Sequence, residues 1–416
     1  MKRGLSIVLA LGLLGAVATR APAQEKVVKF GFPADFTKVY TFVSEEQVQG
    51  MVDYLQLANL KGGAGGYKFE WLTTDTGNEP QRGIEGYERF KREGATFFNF
   101  VSTPVSRAVL PRAMKDKTIV LMPFHGRSDV ADGTVFTHAF SLGANYWSQA
   151  AAITKYAFDQ EKGNMKGKKI ALVHIDSPFG KEPIAVFERL GRQLGFEFGA
   201  FPYPSPGNEQ SATWTQVRRF RPDWTVIWGA GVGNQVSIRE AIRNGIPLDH
   251  LVSVIWIAEK DMHVVGDQEA KGVLRFEAAI SGRDTPVVKE ILSEVYQKAG
   301  KGSGKNENVG STYYVIGVNV VAPVVEATRI AKEKFGEPVT TEKIREAMET
   351  LKNFDAGGLI APITLSPKDH EGGGSGRISQ WDGTKWVPKT GWYNAYRDVV
   401  WDLVKKSAEE FQRTGM

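Results

Sequence analysis

Apolar positions along the chain alternate between two spacings. Short continuous runs at 27–32, 67–72, 97–101 and 118–122 suit buried strands. Between them, residues 44–60 carry Val48, Met51, Val52, Leu55 and Leu57 at roughly helical spacing, and 79–92 reads as a second helix. The glycine cluster Gly62-Gly-Ala-Gly-Gly66 stops the first helix. Strand–helix–strand–helix order predicts a parallel sheet with helices on both faces. The pattern continues with an expected strand at 135–142 and a long helix at 145–162.

A second series of the same kind opens at 168–175 and runs into Asp176-Ser-Pro-Phe-Gly180, a polar loop before a helix. Strands are expected at 196–203, 224–228, 251–257 and 272–280, with helices at 212–220 and 235–244 among them. Helices at 286–299, 313–335 and 340–351 follow. The stripe Val315, Val318, Ala322, Val325 and Ile330 reads as ordinary core packing. In the tail, Asp382-Gly383 between two alternating runs is a β-hairpin signal, and 396–411 is the last helix. The organisation is two α/β lobes without a low-complexity linker.

Ligand chemistry is expected where strands end. In stretch 97–128, two neighbouring strands each deliver a small polar cluster at their C-terminal ends. One is Ser102-Thr-Pro104, where Pro104 suits the first turn of a helix capped by Ser102 or Thr103. The other is Pro123-Phe-His-Gly-Arg-Ser128. Open α/β sheets bind ligands at that edge, and unpaired N–H groups at a helix start favour an anion such as a carboxylate.

Composition narrows the setting. Residues 1–23 hold Lys2 and Arg3, an apolar run from Leu5 to Ala18, and Ala21-Pro-Ala23, the pattern of a cleaved signal peptide. The run is shorter than the ~20 residues that span a bilayer. Cleavage removes three basic side chains and no acid, so a formal charge of +5 becomes +2, and no basic tract implies nucleic acid. The chain has no cysteine, which excludes disulfides, thiolate metal sites, a Cys nucleophile and a lipidated cysteine at the cleavage site. An exported protein without a membrane anchor fits an enclosed compartment such as a bacterial periplasm.

The order of these features resembles the leucine/isoleucine/valine-type periplasmic solute-binding proteins of ABC transporters. The resemblance covers nearly the whole mature chain. It rests on the signal peptide, the first strand with its Tyr40-bearing loop, Thr103-Pro-Val-Ser106, His125-Gly-Arg-Ser128, Asp176-Ser-Pro-Phe-Gly180, and the tail Ser366-Pro-Lys-Asp-His370 … Gln380-Trp-Asp-Gly383. It implies an α/β fold of two Rossmann-like lobes with parallel sheets, three crossovers and a ligand cleft between lobes. On this reading residues 24–143 and 276–352 form lobe 1, and 144–275 and 353–416 form lobe 2. The implied function is capture of an amino acid, branched-chain type first, by lobe closure and delivery to permease subunits. The expected protein is a monomer, needs no cofactor or metal, and is not an enzyme. An aromatic or aliphatic carboxylate is the alternative solute. The resemblance assigns the carboxylate grip to Ser102, Thr103, Ser106, His125, Arg127 and Ser128, aromatic walls to Tyr40 and Phe179, and an ammonium partner to Glu259. A tyrosine expected after the 224–228 strand is replaced by Gly231 and Val232. Trp228 and Trp256 would make the pocket aromatic.

Several of these residues carry a second reading. His125 also fits a hydrogen-bonded core histidine. Arg127 can pair with Asp129 or Asp132 instead of gripping a carboxylate. Trp228 and Trp256 also fit a core, and Glu259, beside Lys260 and Asp261, a solvated loop acid. The competing class is a dinucleotide-dependent enzyme. It rests on Gly229-Ala-Gly231-Val-Gly233, but the third glycine comes one residue early, with Asn234 where the motif needs glycine. A sensor ectodomain is a third class, disfavoured because the chain offers no transmembrane segment.

Overall fold

The structure is a computed structural model and describes residues 26–415. The signal-peptide reading at 1–23 lies outside the described residues. The first sheet contains β1 (Val27–Ala34), β2 (Lys68–Asp75), β3 (Phe97–Phe98), β4 (Ile119–Leu121) and β5 (Ala139–Phe140) in the order β2-β1-β3-β4-β5, all parallel. Their connections include α1 (Thr41–Leu60), α2 (Pro80–Arg92) and α3 (Thr103–Asp116). α4 (Tyr146–Gln160) leads into the second sheet, whose parallel part is β6 (Lys169–Ile175), β7 (Glu197–Tyr203), β8 (Trp224–Trp228), β9 (Leu251–Ser253) and β10 (Leu274–Glu277). Between these strands run α5 (Pro178–Lys181), α6 (Ile184–Leu194), α7 (Ser211–Phe220), α8 (Val232–Arg243) and α9 (Glu259–Val265).

The chain then returns to the first lobe. α10 (Pro286–Glu290) continues as π-helical turns over Ile291–Lys298, and α11 (Thr312–Phe335) and α12 (Thr341–Met348) follow. It crosses once more to add the hairpin β11 (Arg377–Trp381) and β12 (Trp386–Pro388), antiparallel on the edge of β10, and ends in α13 (Arg397–Thr414). These are the three crossovers, and the turn at Asp382-Gly383 falls where the alternation put it.

α11 is long and apolar enough to cross a membrane by length and composition, yet 78% of its apolar 18-residue window is buried inside the protein. It packs on α1 with almost no room between the backbones. A Cβ on Gly50 would lie 2.1 Å from the Tyr314 carbonyl oxygen, and one on Gly317 would lie 2.0 Å from that of Gln47. Glycine at both positions is what allows the approach.

Two expected strands shrink. The run at 97–101 keeps only Phe97–Phe98 in the ladder. The Asn99 side chain donates to the Leu121 carbonyl at 2.8 Å, and Val101 turns to a φ of 52°, so the backbone leaves the sheet while Phe100 stays buried. The expected strand at 135–142 contracts to Ala139–Phe140. Apolar residues on either side of a short ladder pack into the core as loop, and a hydrophobic run by itself does not separate the two.

Candidate solute-binding site

Both sheets point the C-terminal ends of their parallel strands at one small cavity. From the first lobe come Tyr40 and Val43 at the start of α1, Val101 and Thr103 after β3, and His125 after β4. From the second come Tyr146 at the start of α4, Phe179 after β6, Ala230 after β8 and Trp256 after β9. Local sequence sets several of these. Asp35 after β1 accepts the backbone N–H of Lys38 and of Tyr40, both at 2.8 Å, which folds the loop so that Tyr40 enters the cavity. Ser102 caps α3 by accepting the Val105 N–H at 3.3 Å, and Asn145 caps α4 by accepting that of Ser148 at 3.0 Å. Each cap fixes the residue after it, Thr103 or Tyr146, at the cavity wall.

The polar groups on the wall are uncharged. Burial lowers the His125 pKa to about 4, so the imidazole is neutral near pH 7. Its Nδ1 faces the Gly126 carbonyl oxygen at 3.3 Å, and a carbonyl can only accept, so Nδ1 carries the hydrogen. Nε2 therefore presents a lone pair. It is buried and has no partner among the described residues. Burial pushes the Tyr40 and Tyr146 hydroxyls well above their ordinary pKa, and both stay protonated. Trp256 Nε1 donates to the Tyr146 hydroxyl at 2.6 Å, tying two wall aromatics together. Among the described residues no acid lines the cavity.

Of the residues singled out in the sequence, Tyr40, Thr103, His125 and Phe179 meet at this cavity. Ser102, Ser106, Arg127, Ser128, Trp228 and Glu259 do not line it. Ser102 is the helix cap, and its hydroxyl donates to Asn78 at 2.6 Å. Ser106 lies one turn further along α3, and its buried hydroxyl has no partner among the described residues. Arg127 is buried and turned away: it binds both carboxylate oxygens of Asp129 at 2.7 Å and stacks its guanidinium on Phe136 and Phe411. Of its two candidate acids it takes Asp129. The Ser128 hydroxyl accepts the Trp147 N–H at 3.3 Å. Trp228 is fully buried behind Tyr146, which meets it edge-on at 5.5 Å. Glu259 faces α11, accepting hydrogen bonds from Ser281 at 2.6 Å and Thr312 at 2.9 Å.

Tyr146, Val43, Val101 and Ala230 were not foreseen. Tyr146 had a usable signal: it follows the N-cap Asn145 just after the end of the fifth strand in the first series. Trp256, readable as core or pocket, is on the wall.

A family model for periplasmic binding proteins matches residues 27–385. The chain belongs to the periplasmic binding protein family. A curated relative, Leu/Ile/Val-binding protein homolog 3 of Brucella melitensis, is 21% identical over 363 residues, which cover 85% of this chain and 95% of the relative. A crystal structure described as an ABC transporter permease from the Pseudomonas fluorescens group is 34% identical, with a TM-score of 0.84, covering 93% of this chain and 97% of the other. A Thermus thermophilus branched-chain amino acid ABC transporter protein with bound valine is 20% identical, with a TM-score of 0.78 and coverage of 91% and 99%. At that identity the last likeness speaks for the fold. In this periplasmic binding protein the cavity lies between the two lobes, with wall residues from both.

Proposed function

We propose that this protein is the solute-binding component of an ABC transporter. It works outside the cytoplasm as a monomer, captures a small carboxylate-bearing solute between its lobes, and delivers it to permease subunits. It catalyses no reaction. The observation carrying this reading is the cavity itself, with wall residues from the strand ends of both sheets. A solute that touches both lobes binds the closed form more tightly than the open one, and that difference in affinity is what closes the protein.

An α-amino acid, branched-chain type first, is the leading solute. The curated relative named for leucine, isoleucine and valine supports it. So does His125: the lone pair on Nε2 needs a hydrogen-bond donor, which an ammonium supplies. The carboxylate would meet Thr103 and the start of α3, where helix N–H groups favour an anion. A second reading, an aromatic or aliphatic acid, rests on the aromatic wall and the absence of an acid among the described lining residues.

A thermal-shift screen over amino acids and aromatic acids tests the assignment, because a ligand that binds only the folded state raises its apparent stability. L-leucine, L-isoleucine or L-valine is expected to raise Tm. If no small carboxylate does so, the reading fails.

A further inference from the structure

The turn after β4 is occupied by a carboxylate from the other lobe. Glu182, between α5 and α6, accepts the Ser128 N–H at 2.7 Å and pairs with Arg107 of α3 at 3.1 Å. A Cβ on Gly126 would lie 3.0 to 3.2 Å from all three atoms of the Glu182 carboxyl group, so that group rests directly on the turn. The Glu182 side chain is 5% exposed, while Arg107 is 41% exposed at the rim. Across the cavity, Lys260 of α9 reaches in the same sense from the second lobe to the first. It donates to the Phe42 carbonyl at 2.8 Å, pairs with Glu46 of α1, and lies over the Phe42 and Tyr313 rings. A Cβ on Gly231 would come within 2.4 Å of the Phe42 ring. The lobes are therefore in contact on both sides of the cavity.

We infer that Glu182 and Lys260 are positioning residues for solute capture: neither lines the cavity, and each is a latch that holds the lobes shut over the solute. The inference rests on the two-lobe closure proposed above. Glu182 belongs to the second lobe and its partners Ser128 and Arg107 to the first, so the bonds exist only when the lobes meet. A contact made in one state alone biases the equilibrium toward that state. The two latches have opposite polarity, an acid on one side and an ammonium on the other. A second lobe rotated out of register would set Glu182 against the wrong rim, so the pair also selects one closed geometry.

The chain has no cysteine, so Lys115→Cys and Gln193→Cys place one spin label on α3 and one on α6. Distance distributions are measured for the labelled protein alone and with L-leucine, and L-leucine dissociation is followed by stopped-flow tryptophan fluorescence. Glu182→Gln, which keeps the shape and removes the charge, is expected to lower the short-distance population and to speed dissociation about tenfold. Arg107→Met, which removes the exposed cation of the same pair, should act in the same direction. Lys260→Met should act alike from the opposite side. Circular dichroism confirms that each variant folds. Short-distance populations that are unchanged in both Glu182→Gln and Arg107→Met overturn the latch, whether or not L-leucine binds. Failure of L-leucine to bind the unsubstituted protein counts against the amino-acid reading alone.

Discussion

Arg127 clasps Asp129 with two parallel hydrogen bonds, Nε to Oδ1 and Nη2 to Oδ2, each 2.7 Å long and both buried. Ser407 of α13 donates to the same carboxylate at 2.7 Å, and Phe411 of α13 stacks on Phe136 beneath the guanidinium. The pair thus joins the turn after β4 to the last helix of the chain. Arg127→Ala is expected to destabilise the protein by about 3–5 kcal/mol, because it strands a buried carboxylate. L-leucine affinity of the folded variant should stay within about twofold, since Arg127 does not line the cavity. Urea unfolding and calorimetry on the same sample separate the two effects. A large loss of affinity at unchanged stability would return Arg127 to the solute.

His125 sets a dependence on acid. Folded, it takes up a proton only near pH 4, against an ordinary value of 6.5, because burial opposes the charge. Between those values the unfolded chain binds more protons. Stability from this group is therefore complete above pH 6.5 and is lost progressively as pH falls to about 4, by at most about 3 kcal/mol. His125→Asn lacks this titration. The stability difference between the unsubstituted protein and the variant, read from urea unfolding at pH 7 and pH 4.5, should shift against the unsubstituted protein at the lower pH. A pH-independent difference would mean that His125 is not held neutral.

Tyr146 couples the wall to itself through its bond from Trp256. Tyr146→Phe keeps the ring and removes the acceptor, leaving a buried indole N–H unpaired at a cost of about 1–3 kcal/mol. Part of that cost should appear as a lower Tm. Part should appear as weaker L-leucine binding, since Trp256 is freed to move in the cavity. Unaltered affinity and Tm together would show that the bond does not order the wall.

Glu259 offers a contrast. It accepts from Thr312 and Ser281 and lies 3.8 Å from Arg275, all outside the cavity wall. Glu259→Gln is expected to leave L-leucine affinity within about twofold. His125→Phe, which removes the lone pair facing the cavity, should weaken it about tenfold or more, the scale of a lost hydrogen bond to a charged group. Calorimetry on both variants decides between the two residues as partner for the ammonium. A sharp loss in Glu259→Gln with none in His125→Phe would exchange their roles.

The periodicity of the sequence is enough to specify strand–helix alternation, two α/β series, the Asp382-Gly383 hairpin and the helix starts at Ser102 or Thr103 and at Asn145. Each depends on neighbours within a few residues: apolar spacing, a cap, a turn-forming pair. It also marks strand ends as the place for a ligand, and Tyr40, Thr103, His125 and Phe179 converge there. Which way a side chain turns at a strand end is settled by groups distant in sequence. The α13 residues Ser407 and Phe411 hold the local Arg127–Asp129 pair away from the site; Thr312 draws Glu259 toward α11; Glu182 arrives from the other lobe to fill the turn at 126–128. A buried charge goes to the partner that best compensates its loss of water. For Glu182 the backbone donor of Ser128 is 54 residues away, and Ser407 reaches Asp129 across 278. Only the tertiary structure brings them together.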